Sequence, residues 1–340
     1  MLICAGHRVK TSHNLLLKAW YGKSFWVYVL LPLSWLFYFI SSIRKFVLVR
    51  FFQQQLSVPV VIVGNISVGG TGKTPLIIEL VKYLQDKGHK PGVVSRGYGG
   101  KAPHYPFLLN EKSLASESGD EPLLISRSTG CCVCVSPDRV AAAKVLIEAG
   151  CTIILSDDGM QHYVLGRQLE IAVVDGQRLF GNQHLLPVGP LREPVSRLNN
   201  VDLIVVNNPG ETKLMPHHPN IHAMNLEPVA WRNIAAQKEF SLDAVTLMQP
   251  VHAVAGIGNP QRFFKTLESL SISFNAHPFP DHHTFSLQDF SSFKNETVVM
   301  TEKDAVKCQA FAKPDWYSLV VGARLNEHFW SAFQQKLDAL

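Results

Sequence analysis

Four glycines, two threonines and a lysine within twelve residues carry the first chemistry in the chain. They lie in Gly64-Asn65-Ile66-Ser67-Val68-Gly69-Gly70-Thr71-Gly72-Lys73-Thr74-Pro75, directly after the apolar run 58–63 (VPVVIV). A helical pattern follows from Leu76 to about Asp86 and closes at Gly88. Strand, glycine-rich loop, Lys-Thr and helix is the order that a phosphate-binding loop requires. Backbone N–H groups across Ser67, Val68, Gly69, Gly70, Thr71 and Gly72 would turn onto phosphate at the positive end of the helix dipole. Lys73 would reach the outer phosphates, and the Thr74 hydroxyl would ligate Mg²⁺. The strict pattern has a glycine five places before Gly72, where this chain has Ser67; the Gly69-Gly70 pair compensates.

A second acidic element belongs with that loop. The apolar residues 151–155 (CTIIL) lead into Ser156, Asp157, Asp158 and Gly159, a strand ending in the carboxylates that hold Mg²⁺ beside a phosphate loop. Adjacent acids at a strand end point different ways, so Asp157 and Asp158 should differ in role. Positioning them requires a sheet. Strands are predicted at Gly92–Ser95, Cys131–Val135, Ile171–Asp175 and Leu203–Asn207, with a helix at Pro137–Ala149. A second α/β pattern starts near Val251, with a helix at Pro260–Leu270 and a strand at Thr297–Met300. Residues 208–250 contain several prolines and no long periodic run, and the domain boundary is placed there. The expected fold is α/β, a P-loop NTPase-like doubly wound parallel sheet with a second, smaller α/β domain and an N-terminal membrane helix. The domains are read as 1–50 (basic, apolar and membrane-associated), 51–225 (P-loop kinase domain) and 226–340 (smaller α/β domain).

Length and charge agree with that division. At 340 residues, 46% hydrophobic and 17% charged, the chain can bury real cores and exceeds the usual single-domain size. The net charge of +5 is unevenly placed. Residues 1–78 hold eight bases (Arg8, Lys10, Lys18, Lys23, Arg44, Lys45, Arg50 and Lys73) and no acid, leaving 24 bases against 27 acids beyond. That pattern argues against a nucleic-acid partner. Residues 25–43 are 19 uncharged positions, 15 of them hydrophobic, enough for a helix of about 28 Å against a hydrocarbon core of roughly 30 Å. Twelve of the 33 aromatics fall between Trp20 and Phe52, as in an interfacial belt. Pro32 sits inside the stretch, so a tilted span, a re-entrant hairpin and an interfacial helix are all compatible with it. Of the six cysteines, Cys4, Cys131, Cys132, Cys134, Cys151 and Cys308, the pair Cys131-x-x-Cys134 reads as a buried strand; zinc would need a second ligand pair.

A bound nucleotide leaves the reaction open. A guanine-specific switch would carry Asn-Lys-x-Asp, which Thr301-Glu302-Lys303-Asp304 does not fit. A kinase needs a base for the acceptor hydroxyl and cations for the transferred group. Candidate bases are Asp120, in Gly-Asp-Glu-Pro, and Asp281, in Pro-Asp-His-His; candidate cations are Arg96, Arg139 and Arg192. From these residues alone, the alternatives are another P-loop kinase or ATP-dependent ligase on a soluble metabolite, and a membrane-tethered nucleotide switch.

Eight segments in order narrow the choice: GNISVGGTGKTP (64–75), SRGYGG (95–100), GDEP (119–122), SDDGMQH (156–162), LLPVGPLREP (185–194), AVAGIGNPQRFF (253–264), FPDHHTF (279–285) and TEKDAVK (301–307). Together they resemble the tetraacyldisaccharide 4′-kinases, the lipid A 4′-kinases of Gram-negative bacteria, from the apolar leader to about residue 324. The resemblance implies ATP- and Mg²⁺-dependent phosphorylation of the 4′-hydroxyl of a tetraacylated glucosamine disaccharide 1-phosphate, at the cytoplasmic face of the inner membrane. Its implied partners are that lipid substrate and inner-membrane lipids, with no obligate protein partner. It also implies two α/β/α domains facing a cleft. By motif match Asp120 is similar to the family's general base and His282 to its dyad partner. Asp157, Asp158, Gln161 and Glu193 match Mg²⁺-associated residues, and Arg192 matches a group that stabilises transferring charge. If Asp120 and His282 come from different domains, the dyad would form only on closure.

Overall fold

The computed structural model describes residues 15–22, 24–210, 215–293 and 296–340. Cys4, Arg8, Lys10 and Lys23 lie outside the described residues. The apolar leader is one helical path from Trp26 to Phe52: a 3-10 turn, helix α1 (Leu31–Val47) and a π turn at Leu48–Phe52. Pro32 falls in the first turn of α1, where its missing N–H has no partner to lose. The helix is therefore unbroken, and the re-entrant hairpin is not formed. Its most apolar stretch has a mean hydropathy of 1.7, yet only 11% of that stretch is buried. Trp35, Phe39 and Phe46 are more than half exposed. By length and composition it is the one helix among the described residues able to cross a membrane.

The strands then follow in the expected order, with boundaries shifted by a residue or two. β1 (Val60–Gly64) is buried at every position and runs into the phosphate loop. Helix α2 (Lys73–Asp86) begins at Lys73, three residues before its apolar periodicity becomes visible. β2 (Pro91–Ser95), the two-residue β3 (Phe107–Leu108), α3 (Asp120–Thr129) and β4 (Cys132–Val135) follow. Cys131 and Cys134 are buried, and burial pushes both thiols up to about 11. Helix α4 (Arg139–Glu148) is capped by Asp138, whose carboxylate accepts from the Val140 and Ala141 N–H groups. β5 (Ile153–Asp157) extends past its apolar run, so Asp157 is the last residue of the strand.

β6 (Leu169–Asp175) and β7 (Leu203–Asn207) are followed by a 13-residue strand, β8 (Ile221–Asn233), in the segment read as lacking a long periodic element. His222 and Met224 face inward while Ala223 and Asn225 face out, so the alternation runs through a histidine and escapes an apolar count. Pro228 further disguises it. The chain closes with β9 (Lys238–Phe240), β10 (Val251–Ala255), α5 (Pro260–Ser269), β11 (Asn275–Pro278), β12 (Thr297–Thr301), α6 (Glu302–Cys308), β13 (Trp316–Leu325) and α7 (Glu327–Asp338).

Two compact units partition these elements: Met1–Lys73, Asp158–Asn225 and Leu325–Leu340 form one, and Thr74–Asp157 and Leu226–Arg324 the other. In the first, β1, β6, β7 and the start of β8 pair in parallel, and α7 buries Phe329 and Phe333. The leader joins it through Trp20, whose indole N–H donates to the Pro187 carbonyl at 3.0 Å, and Ser34, whose hydroxyl donates to Leu185 at 3.0 Å. In the second unit, β5, β2 and β4 pair in parallel, with β3 antiparallel on β4. The same unit holds the parallel order β11-β10-β12-β13, over cores centred on Phe290 and Trp316 on one face and Phe263, Phe264 and Leu267 on the other. Helix α3 packs against α6 there. Parallel strands with crossover helices establish the expected α/β class.

Candidate active site

The first unit contains the phosphate loop, and its backbone explains the glycine pattern. Positive φ falls on Gly69 (115°) and Gly72 (95°). A side chain at Gly72 would also meet the Asn207 amide, 2.6 Å from an added Cβ. Ser67 instead forms an antiparallel bridge with Leu191, while the Val68 N–H donates to Pro190 at 2.8 Å. That backbone pairing is open to any residue, which is why serine stands where the strict pattern has glycine. Asn65 cross-braces the loop: its amide donates to Ser67 O at 2.8 Å and its carbonyl accepts from Lys73 Nζ at 3.4 Å. From the far end of β7, Asn207 donates to Thr71 O at 2.9 Å. Thr74, first of the second unit, is buried.

Around the loop lysine sits a charge cluster of the same unit. Asp158 receives Lys73 Nζ at 3.4 Å on one oxygen and Arg192 Nη1 at 2.9 Å on the other. Burial alone would raise its pKa, but Lys73 and Arg192 outweigh burial and hold the carboxyl down at about 2. Asp158 adopts a left-handed backbone (φ 49°), which aims it away from the strand direction at a cost of roughly 1–2 kcal/mol. Arg192 is tied to the loop by its N–H, which donates to Ile66 O at 2.7 Å, and its guanidinium also reaches Gln161 Oε1 at 3.3 Å. Gln161 in turn donates to Asn65 O at 3.1 Å and Glu193 Oε1 at 2.7 Å. Glu193 is buried, accepts from the Tyr163 hydroxyl, and lies 3.4 Å from Arg197 Nε and 3.7 Å from Lys45 Nζ. Asp157, in the second unit, is buried and accepts from Ser95 Oγ at 3.1 Å. The two neighbouring acids therefore differ in environment.

The other constellation lies wholly within the second unit. Asp120 is the first residue of α3, only 6% exposed, and Gly119 before it holds φ 88° against the Tyr98 carbonyl. One Asp120 oxygen accepts from the Glu121 N–H at 3.0 Å; the other meets His282 Nδ1 at 3.0 Å. Burial pushes the Asp120 pKa up, but the His282 hydrogen bond with Lys303 and Lys307 outweighs it, and the net shift is downward. The Asp120 hydrogen bond raises His282 against its partial burial. Like Asp158, His282 is held left-handed, at φ 56°. Tyr98 packs edge-on to its ring at 5.3 Å. The hydrogen bond joins the two residues inside one compact unit. Among the other candidates, Asp281 is exposed and accepts from the His282 N–H, and Arg96 is exposed. Arg139 is buried, donating to the Ser136 and Asp157 carbonyls.

Sequence reasoning missed the supporting residues. Asn65, Asn207 and Tyr163 each lock a site group, and Lys303 pairs with Glu121, next to Asp120. A polar residue at or directly after the end of an apolar strand was the available signal for Asn65 and Asn207.

Known proteins match this chain in sequence and in fold. A family model described as tetraacyldisaccharide-1-P 4′-kinase (LpxK) matches residues 26–338. The tetraacyldisaccharide 4′-kinase of Methylobacillus flagellatus is 47% identical over 313 residues, 91% of each chain. That of Legionella pneumophila is 45% identical over 317 residues, 93% of this chain and 95% of its own. The crystal structure of LpxK from Aquifex aeolicus in complex with ATP superposes with a TM-score of 0.77 at 28% identity, covering 93% of this chain and 99% of that one. A match of this length, in sequence and in fold, places the chain in the tetraacyldisaccharide 4′-kinase family.

Proposed function

We propose that the protein transfers the γ-phosphoryl group of ATP to the 4′-hydroxyl of a tetraacylated glucosamine disaccharide 1-phosphate. The observation that carries the chemistry is the buried Asp120 carboxylate held by His282. A nucleotide switch has no acceptor to deprotonate, and a kinase does. In the loose transition state of phosphoryl transfer the acceptor proton leaves late, so positioning and charge do most of the work. The loop N–H groups, Lys73 and Arg192 supply that charge. Asp120 takes the hydroxyl proton, and His282 stabilises the protonated pair and fixes the orientation of the carboxyl. The productive form is Asp120 ionised with His282 neutral, because the pair that already carries a proton accepts another poorly.

Mg²⁺ belongs to the reading. Asp158, Gln161 and Glu193 of the first unit offer hard oxygen donors, and Thr74 and Asp157 carry the same donor type; such groups suit Mg²⁺ and not a softer metal. The low pKa of Asp158 keeps one donor anionic throughout the neutral range. The ion would neutralise phosphate charge when bound. Residues 1–50 dock the enzyme on the cytoplasmic face of the inner membrane, 51–225 bind nucleotide, and 226–340 supply His282. Exposed Trp35, Phe39 and Phe46 fit a lipid surface, and each base near an anionic membrane contributes about 1 kcal/mol of attraction. Mass spectrometry of the lipid after incubation with ATP and Mg²⁺ tests the reading: a product one phosphate heavier at the 4′ position is expected. ATP turnover without that product would refute it.

A further inference from the structure

One contact crosses from the lipid-facing helix to the phosphate site, and it lies entirely inside the first unit. Lys45, in the last turn of α1, places Nζ 3.7 Å from Glu193 Oε2 and 5.0 Å from the centre of the Tyr163 ring. The Tyr163 hydroxyl donates to that same Glu193 oxygen. Lys45 therefore touches both members of one hydrogen-bonded pair. From Glu193 the contacts continue through Gln161 to Arg192, then Asp158, then Lys73 and Asn65 of the loop. Arg197 lies 3.4 Å from the Glu193 oxygen that Lys45 approaches, but Arg197 is also held by Glu170 at 2.5 Å. Lys45 is thus the cation on Glu193 whose position depends on the leader.

The other lysine and arginine residues of α1 and the π turn have no such role among the described contacts: Arg50 lies over Phe51, on its own helix. A base serving only to attract an anionic surface would face outward with it. Lys45 faces the catalytic body instead, with its side chain 42% exposed.

We propose that Lys45 is a positioning residue for phosphoryl transfer, holding Glu193 and through it the Gln161–Arg192–Asp158 chain. Seating of α1 in lipid then sets the geometry of Arg192 and Lys73. The inference rests on the kinase reading above. It makes the leader a working part of the site as well as an anchor, and links phosphoryl transfer to the presence of the surface that holds the lipid substrate.

The test compares wild type, Lys45→Met, Lys45→Arg, Glu193→Gln and the Lys45→Met/Glu193→Gln double variant in full-length protein. Three quantities are read: kcat and KM for the lipid, ATP affinity by equilibrium titration with and without Mg²⁺, and partition onto anionic vesicles. Lys45→Met should lower kcat roughly five-fold, as expected for one partly exposed ion pair acting on a transition state. Its lipid KM and vesicle partition should stay within about two-fold, since one juxtamembrane charge among several is screened. Lys45→Arg should restore most of the loss. In the Glu193→Gln background, Lys45→Met should add nothing further, because it acts through that carboxylate. An unchanged kcat, a loss confined to KM and partition, failure of rescue by arginine, or additivity in the double variant would each overturn the proposal. Absence of the 4′-phosphorylated product from wild type would sink the kinase reading instead. The cycle would then still be read in ATP affinity, where additivity overturns Lys45 and non-additivity supports it.

Discussion

Asp120, buried, and Asp158, half-buried, are both carboxylates at element boundaries, and both are ionised more readily than a free aspartate. Their partners separate them. Asp158 sits between Lys73 and Arg192, and its own proton is gone at any physiological pH. Asp120 is paired with His282, an imidazole that can gain or lose a proton near neutrality. A carboxylate clamped by cations can only hold charge in place; one clamped by an imidazole can move a proton. The two compact units therefore differ chemically as well as topologically: one holds a carboxylate between cations, the other a carboxylate against an imidazole.

The sharpest break of that contrast is Asp120→Ala. Loss of a general base should reduce 4′-phosphate transfer by roughly 10²–10⁴-fold, with ATP affinity by titration within about two-fold. Near-normal turnover would remove Asp120 from the chemistry. Asp158→Asn should instead affect both quantities, lowering kcat by about 10²-fold and weakening ATP, because it releases Lys73 and Arg192 together. If that variant changes kcat alone, the division of roles is wrong. His282→Gln preserves a hydrogen-bond donor but not titration; a loss of roughly ten-fold is expected. In wild type kcat/KM should rise with pH through the raised pKa of the dyad, and in His282→Gln that limb should vanish. A limb that persists would assign it to another group.

The smallest expected effect is on stability. A raised histidine pKa contributes stability that is fully present below its ordinary value of 6.5 and is lost as pH rises through the folded value. Thermal melts of wild type should therefore fall by about 1–2 °C across that window relative to His282→Gln. Asp120 works the other way: its lowered pKa gives stability present above the ordinary 3.8 and lost as pH falls through the folded value. A His282→Gln curve parallel to wild type above pH 6 would show that the pair is not energetically coupled.

Local patterning made the strands β1, β5 and β7 and the loop readable, since each is a short apolar run ending in chemistry. β8 was unreadable because its inward positions include His222, and one histidine cancels the alternation. The dyad could be named from motifs but not joined: Asp120 and His282 are 162 positions apart, and no local rule carries that separation. The same holds for the Ser67–Leu191 bridge, which explains the missing glycine only once the fold is known. Chemistry that depends on residue type was legible; chemistry that depends on which loop meets which was not.

The left-handed residues bear on any attempt to make the enzyme more heat-resistant. Seven non-glycine positions among the described residues have positive φ: Asp158, Leu179, Gln183, Asn208, Gln237, Ser271 and His282. Glycine at such a position relieves about 1 kcal/mol of steric cost, less the entropy it adds to the unfolded chain. A procedure ranking sites by backbone geometry alone would offer all seven equally. Leu179, with a branched side chain and φ 45°, is the reasonable first choice for such engineering. Asp158 and His282 would look like equally good bargains for folding, and taking either would leave a sturdier protein without the carboxylate that holds Lys73 and Arg192 or the imidazole that holds Asp120.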